Sequence, residues 1–218
     1  MESGLRKMGV WGGGVLSLFG VVYMGLVAAA MIAAGGFLPG EPYQTVIHIL
    51  VILMAAWMVF VWAVLYRAAP EKTKVPALVS FGMVLILAAL TSINRYVALT
   101  VVHQGLAAGS PPGLQWFLPY NWPSVMLAIE ILAWGLFLGL ACLSLAPVYS
   151  AARSGRALFW ALVATGILSL CAAVAQIVNS VALSLAGLAG WGPGLTTVAV
   201  LLTLSFRDAG PRIRRSRE

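Results

Sequence analysis

Charge is what this chain has least of. Charged side chains make up 9% of its 218 residues, and only six residues are acidic, whereas an ordinary soluble domain is roughly 25% charged. A soluble fold needs a largely polar exterior to stay dispersed, so this scarcity excludes that class. Cysteine is nearly missing as well. Cys142 and Cys171 both lie inside apolar runs, at different depths by the helix rise, which excludes a disulfide framework and leaves them as small packing residues. No CxxC, Cys/His cluster, nucleophile elbow, P-loop, HExxH or dinucleotide fingerprint occurs, so no metal and no cofactor is expected. The net charge of +7 would suggest nucleic acid in a soluble protein. Here every Lys and Arg except Arg95 stands between apolar runs or at the chain ends, with no basic face interleaved with aromatics. Such charges set topology and touch anionic headgroups, so no nucleic-acid partner is expected.

What the chain does have is apolar length. Hydrophobic residues make up 61% of it, and the mean hydropathy is +0.98. A spanning helix needs about 20 mainly apolar residues, and six stretches qualify, near 10–37, 44–66, 76–103, 122–148, 157–182 and 187–206. Arg6 and Lys7 before an apolar run and Ala28-Ala29-Ala30 imitate a secretory signal, but the run from Val10 to Leu38 is too long for a signal's apolar core. It reads as a retained first span. Pro39-Gly40-Glu41-Pro42 ends that span, and Pro70 and Pro76 bracket a charged loop. Asn121 is a candidate cap for the fourth span, with Pro123 in its first turn. The connection between the last two spans falls between Ser184 and Gly194, where Pro193 either starts or kinks the final helix.

Orientation follows from the placement of the basic residues. Arg6 and Lys7 precede the first span. Arg67, Lys72 and Lys74 lie between the second and third, and Arg153 and Arg156 between the fourth and fifth. Arg207, Arg212, Arg214, Arg215 and Arg217 follow the sixth. With six crossings all of these share one side, and the opposite loops carry only Glu41. By the positive-inside rule that side is cytoplasmic. The expected fold is an all-α polytopic membrane protein, with six transmembrane helices and both termini cytoplasmic. It comprises a single domain over 1–206 and a basic tail over 207–218, in a prokaryotic cell membrane. Gly135 and Gly139 have GxxxG spacing, which serves packing within one chain or a dimer contact. The oligomeric state is open.

Arg95 is the one cation inside a span, and Glu130 is the one carboxylate. Both sit on the order of 12 Å below the outer boundary, on consecutive antiparallel helices. An isolated Arg at a helix centre costs about 2.5–3.5 kcal/mol, so an Arg95–Glu130 ion pair is expected. Other polar side chains reach a similar height: His48 on the second helix, Asn94 and Tyr96 on the third, Trp134 beside Glu130 on the fourth, and Gln176 and Asn179 on the fifth. Such groups serve either as bonds between helices or as a pocket opening outward. The pocket reading takes Arg95, Glu130, His48, Asn94, Tyr96, Trp134, Gln176 and Asn179 as ligand-binding. The loop Gln104–Pro119, with Trp116, Phe117 and the nearby Tyr120 and Trp122, is either an interfacial aromatic belt or a lid.

The tracts Asn94-Arg95-Tyr96-Val97-Ala98-Leu99-Thr100-Val101-Val102, Pro119-Tyr120-Asn121-Trp122-Pro123-Ser124, Ala128-Ile129-Glu130-Ile131-Leu132-Ala133-Trp134-Gly135 and Leu145-Ala146-Pro147-Val148-Tyr149 resemble a group of uncharacterised prokaryotic six-helix membrane proteins. The resemblance covers roughly the middle third of the chain. It implies no activity, only that the third and fourth helices form one unit. Function therefore stands between several classes. The first is a module that binds or transports a small ligand, whether anionic, held by the Arg95 fork, or lipid-like. The second is an intramembrane enzyme on a lipid or isoprenoid, with Glu130 as acid or base and Trp134 stabilising a cation. The third is an accessory subunit without a ligand. Axial haem ligation by His48 and His103 is disfavoured, because their heights differ by roughly 9 Å.

Overall fold

The structure, a computed structural model, describes residues 2–35, 40–119, 123–150 and 155–208. These residues form six helices long and apolar enough to cross a membrane, with no strand among them: α1 Ser3–Ala34, α2 Tyr43–Ala68, α3 Glu71–Ala107, α4 Val125–Tyr149, α5 Arg156–Val178 and α6 Val181–Asp208. That architecture is consistent with an integral membrane protein. Asn121, the expected cap of the fourth helix, lies outside the described residues, as do Tyr120, Trp122, Arg153 and the tail beyond Asp208.

Local chemistry sets the helix ends. Gly35 closes α1 in the left-handed conformation at φ 62°, its N–H reaching back to the carbonyl of Ile32, a position where a side chain would be strained. Ser124 caps α4, its hydroxyl accepting from the N–H groups of Met126 and Leu127. The turn between α5 and α6 comes earlier than its charge-free sequence suggests. Asn179 ends α5 in the left-handed region at φ 51°, and Ser180 caps α6 by accepting from Leu183 N–H. Two small polar residues suffice there. Pro193 lies inside α6, where a π-helical turn over Gly190–Gly194 accommodates its missing donor.

Contacts run around a closed ring. Each helix packs on its neighbours in the chain, and α6 returns to pack on α1. Seven of the nearest approaches use glycine. Gly9, Gly13 and Gly20 of α1 lie against Phe206, Thr203 and Thr196 of α6. Gly187 and Gly190 of α6 lie against Ala172 and Ser169 of α5, and Gly135 and Gly139 of α4 lie against Ala173 and Leu170 of α5. The GxxxG pair thus serves packing within the chain.

Met58, Trp62, Leu65, Leu87, Leu138, Leu145, Leu162 and Leu202 fill the centre. Trp62 donates to Ser80 Oγ at 2.8 Å, and that hydroxyl donates to the carbonyl of Ala141 at 2.6 Å, tying α2, α3 and α4 together. Leu18, Ile32, Ile93, Ile177 and Val181 face outward, an apolar exterior suited to lipid. Arg67, Lys72, Lys74 and Arg156 mark one end of the bundle, where the cations of α1 and α6, Arg6, Lys7 and Arg207, also line one cleft. Glu41 and the loop to Pro119 mark the other.

Candidate functional site

Toward the Glu41 end, three helices bring their polar side chains to one place. Arg95 Nη2 donates to Glu130 Oε1, forming a buried ion pair between α3 and α4. Asn94, one residue earlier, donates from Nδ2 to the other carboxylate oxygen at 2.7 Å. Arg95 Nη1 stands 3.1 Å from His48 Nδ1 on α2. A guanidinium can only donate, so Nδ1 accepts and the imidazole proton sits on Nε2. All four side chains are buried. Sequence depth alone pointed to each of them, because an ionisable or amide group in an apolar run has few neutral explanations.

Beside the pair lies a recessed cavity of about 170 Å³. Arg95, Glu130 and Trp134 line it from α3 and α4, with Leu127; Tyr23 comes from α1, Val51 and Met54 from α2, and Leu188 and Trp191 from α6. Pro119, at the end of the α3–α4 loop, covers it. The same proline borders a crevice of about 20 Å³ with Glu41, His48 and His103, room for roughly one water. That loop is anchored from both sides. Leu114 is buried against Gly105, and Ser124 Oγ donates to the carbonyl of Trp116 at 3.2 Å.

Helix geometry changes around the polar cluster and the cavity. A π-helical turn over Ala98–Val102 follows Arg95, another over Leu132–Phe137 follows Glu130 and includes Trp134, and the third includes Trp191. Each widens its helix by one residue per turn and re-aims the side chains around it, an arrangement frequent at functional sites. The indole N–H groups of Trp134 and Trp191 are buried and have no hydrogen-bond partner among the described residues. The same holds for Asn94 Oδ1.

Not every polar residue at this depth joins the group. Tyr96 is 65% exposed on the outer face of α3, because the residue after Arg95 is rotated about 100° around the helix. Gln176 is half-buried and Asn179 is exposed as the cap of α5; neither lines the cavity, to which α5 contributes no residue. The apolar lining residues and Trp191 carry no mark in the sequence that separates them from ordinary core. Trp191 in particular stands in a Gly/Pro-rich stretch that reads as a connection. Among the described residues no group of three His, Cys, Asp or Glu is placed to hold a metal ion. No protein-family model, curated protein or solved structure matches this chain, so the reading of the site rests on its own chemistry.

Proposed function

We propose that this chain is a multi-pass protein of a prokaryotic cell membrane, with the Arg- and Lys-bearing end cytoplasmic, that binds a small, uncharged, mostly apolar molecule in the cavity beside Arg95 and Glu130. The carrying observation is the cavity itself, walled by five helices where an otherwise close-packed bundle leaves space. Its volume of about 170 Å³ is close to that of an engineered apolar cavity that takes up benzene, about 150 Å³. It falls below the roughly 300 Å³ at which sites for larger ligands begin. A single ring, or the end of a lipid-like molecule, fits that scale.

The arrangement of charges favours a neutral guest over an anion. Two nitrogens of the guanidinium are engaged, Nη2 by Glu130 and Nη1 by His48. Glu130 already neutralises Arg95, so an anionic ligand would bring an uncompensated negative charge into the buried site. The catalytic reading is supported less, since both oxygens of Glu130 accept hydrogen bonds from Arg95 and Asn94. A general base would need one of them turned toward a substrate.

The test is binding of ethylbenzene to the purified full chain in detergent, with native mass spectrometry of the protein as isolated. Saturable binding that Val51→Phe abolishes, by filling the cavity, is the expected result. Binding that is non-saturable, or unaffected by Val51→Phe, would remove the cavity from the account.

A further inference from the structure

We infer that the molecule received by this cavity presents a carbonyl oxygen to the indole N–H groups of Trp134 and Trp191. The inference rests on the cavity reading above and adds the ligand's chemistry to it. An indole N–H is a donor and nothing else, and leaving a buried donor unmatched is costly. Two other tryptophans of the bundle meet this requirement. Trp57 donates to the carbonyl of Gly12 at 2.9 Å, and Trp62 donates to Ser80 Oγ at 2.8 Å. The two buried indoles that lack a partner among the described residues are the two that line the cavity. They come from helices on different sides of the ring, and each is carried by a π-helical turn.

The rest of the lining narrows the class. Val51, Met54, Leu127 and Leu188 offer apolar contact. The acceptors nearest the cavity, the oxygens of Glu130, are already drawn on by Arg95 and Asn94. The two lining indoles are donors in want of an acceptor, which favours a guest that accepts a hydrogen bond. With the ion pair internally neutral, that acceptor carries no formal charge. A lipid-soluble ring ketone, or the carbonyl-bearing head of a larger isoprenoid-like molecule, has this character.

Acetophenone and ethylbenzene have nearly the same shape and differ in the carbonyl, so together they separate the two claims. The full chain, labelled with ¹⁵N at the tryptophan indoles, would be titrated with each in detergent and followed by its indole N–H resonances. Trp134→Phe and Trp191→Phe assign the two signals, and the partnered Trp57 and Trp62 serve as internal references. Acetophenone should move the Trp134 and Trp191 proton signals downfield and saturably, while Trp57 and Trp62 stay in place. It should bind roughly two- to tenfold more tightly than ethylbenzene, the range one neutral hydrogen bond supplies, and either Phe variant should shrink that advantage. Equal affinity for the two probes, with both indole signals indifferent to the carbonyl, would overturn the inference, as when ordered water satisfies the donors, and would leave the cavity reading intact. Failure of both probes to bind would overturn the two together. The titration of the unsubstituted chain decides the matter even where a Phe variant does not fold.

Discussion

When Arg95 is replaced by leucine and Glu130 is kept, a carboxylate remains buried with Asn94 as its remaining hydrogen-bond donor. Breaking a buried pair from one side costs about 3–5 kcal/mol, whereas replacing both members by apolar residues is often close to neutral. Arg95→Leu is therefore expected to destabilise the chain by about that amount, and Arg95→Leu with Glu130→Leu by markedly less. Unfolding in detergent of both single variants and the double variant checks this, and additive losses would contradict it. The residues of this cluster were visible in the sequence because each is chemically out of place in an apolar run. Depth was legible for all of them and direction for few. Gln176 and Asn179 share the height of Glu130, yet they stand on a helix that gives the cavity nothing. Asn179 serves instead as a left-handed turn residue. Trp191 and Leu188 were illegible for the opposite reason, since an apolar side chain beside a void looks the same in sequence as one beside another side chain.

At the level of the helix, close packing depends on particular glycines, and the dependence can be measured. A Cβ at Gly135 would lie 2.9 Å from the backbone nitrogen of Ala173, while a Cβ at Gly82 would meet nothing within 4 Å. Gly135→Ala should therefore destabilise by about 1–3 kcal/mol through overpacking of α4 against α5. Gly82→Ala should be neutral or stabilising by up to about 1 kcal/mol through helix propensity. Thermal unfolding of the two variants side by side gives the comparison, and equal shifts would refute it. The number of helices followed from apolar length, and α2 and α4 lie close to their expected bounds. However, α1 starts at Ser3 and α3 runs over Glu71–Ala107, past the expected 76–103 at both ends. The break between α5 and α6 was not legible. A charge-free turn of Asn179 and Ser180 is quieter than the run Gly190-Trp191-Gly192-Pro193-Gly194, which looks like a loop and is helical. The π-helical turns could not be read at all, because they arise from how neighbouring helices pack.

For the molecule as a whole, six alternating helices put Glu71 and Gln115 at opposite ends of the bundle. Both side chains are exposed, and the native thiols are sheltered within α4 and α5, Cys142 fully. Glu71→Cys and Gln115→Cys, introduced singly, should then react with a membrane-impermeant maleimide from opposite faces of sealed vesicles, Gln115→Cys from the outside. Labelling of both from one face would break the six-crossing topology and the cytoplasmic assignment of the basic end.

The ring also has a consequence for when its last contact can form. Chain neighbours can pack as soon as each hairpin is complete, but the contact of α6 with α1 joins the two extremes of the bundle. Leu188 and Trp191 arrive on that last helix. The helices α1 to α5 carry both members of the ion pair and most of the lining, but without α6 the wall is unfinished. If the proposed guest binds there, it needs α6 in place, and an occupied chamber would report that the whole circle has been sealed.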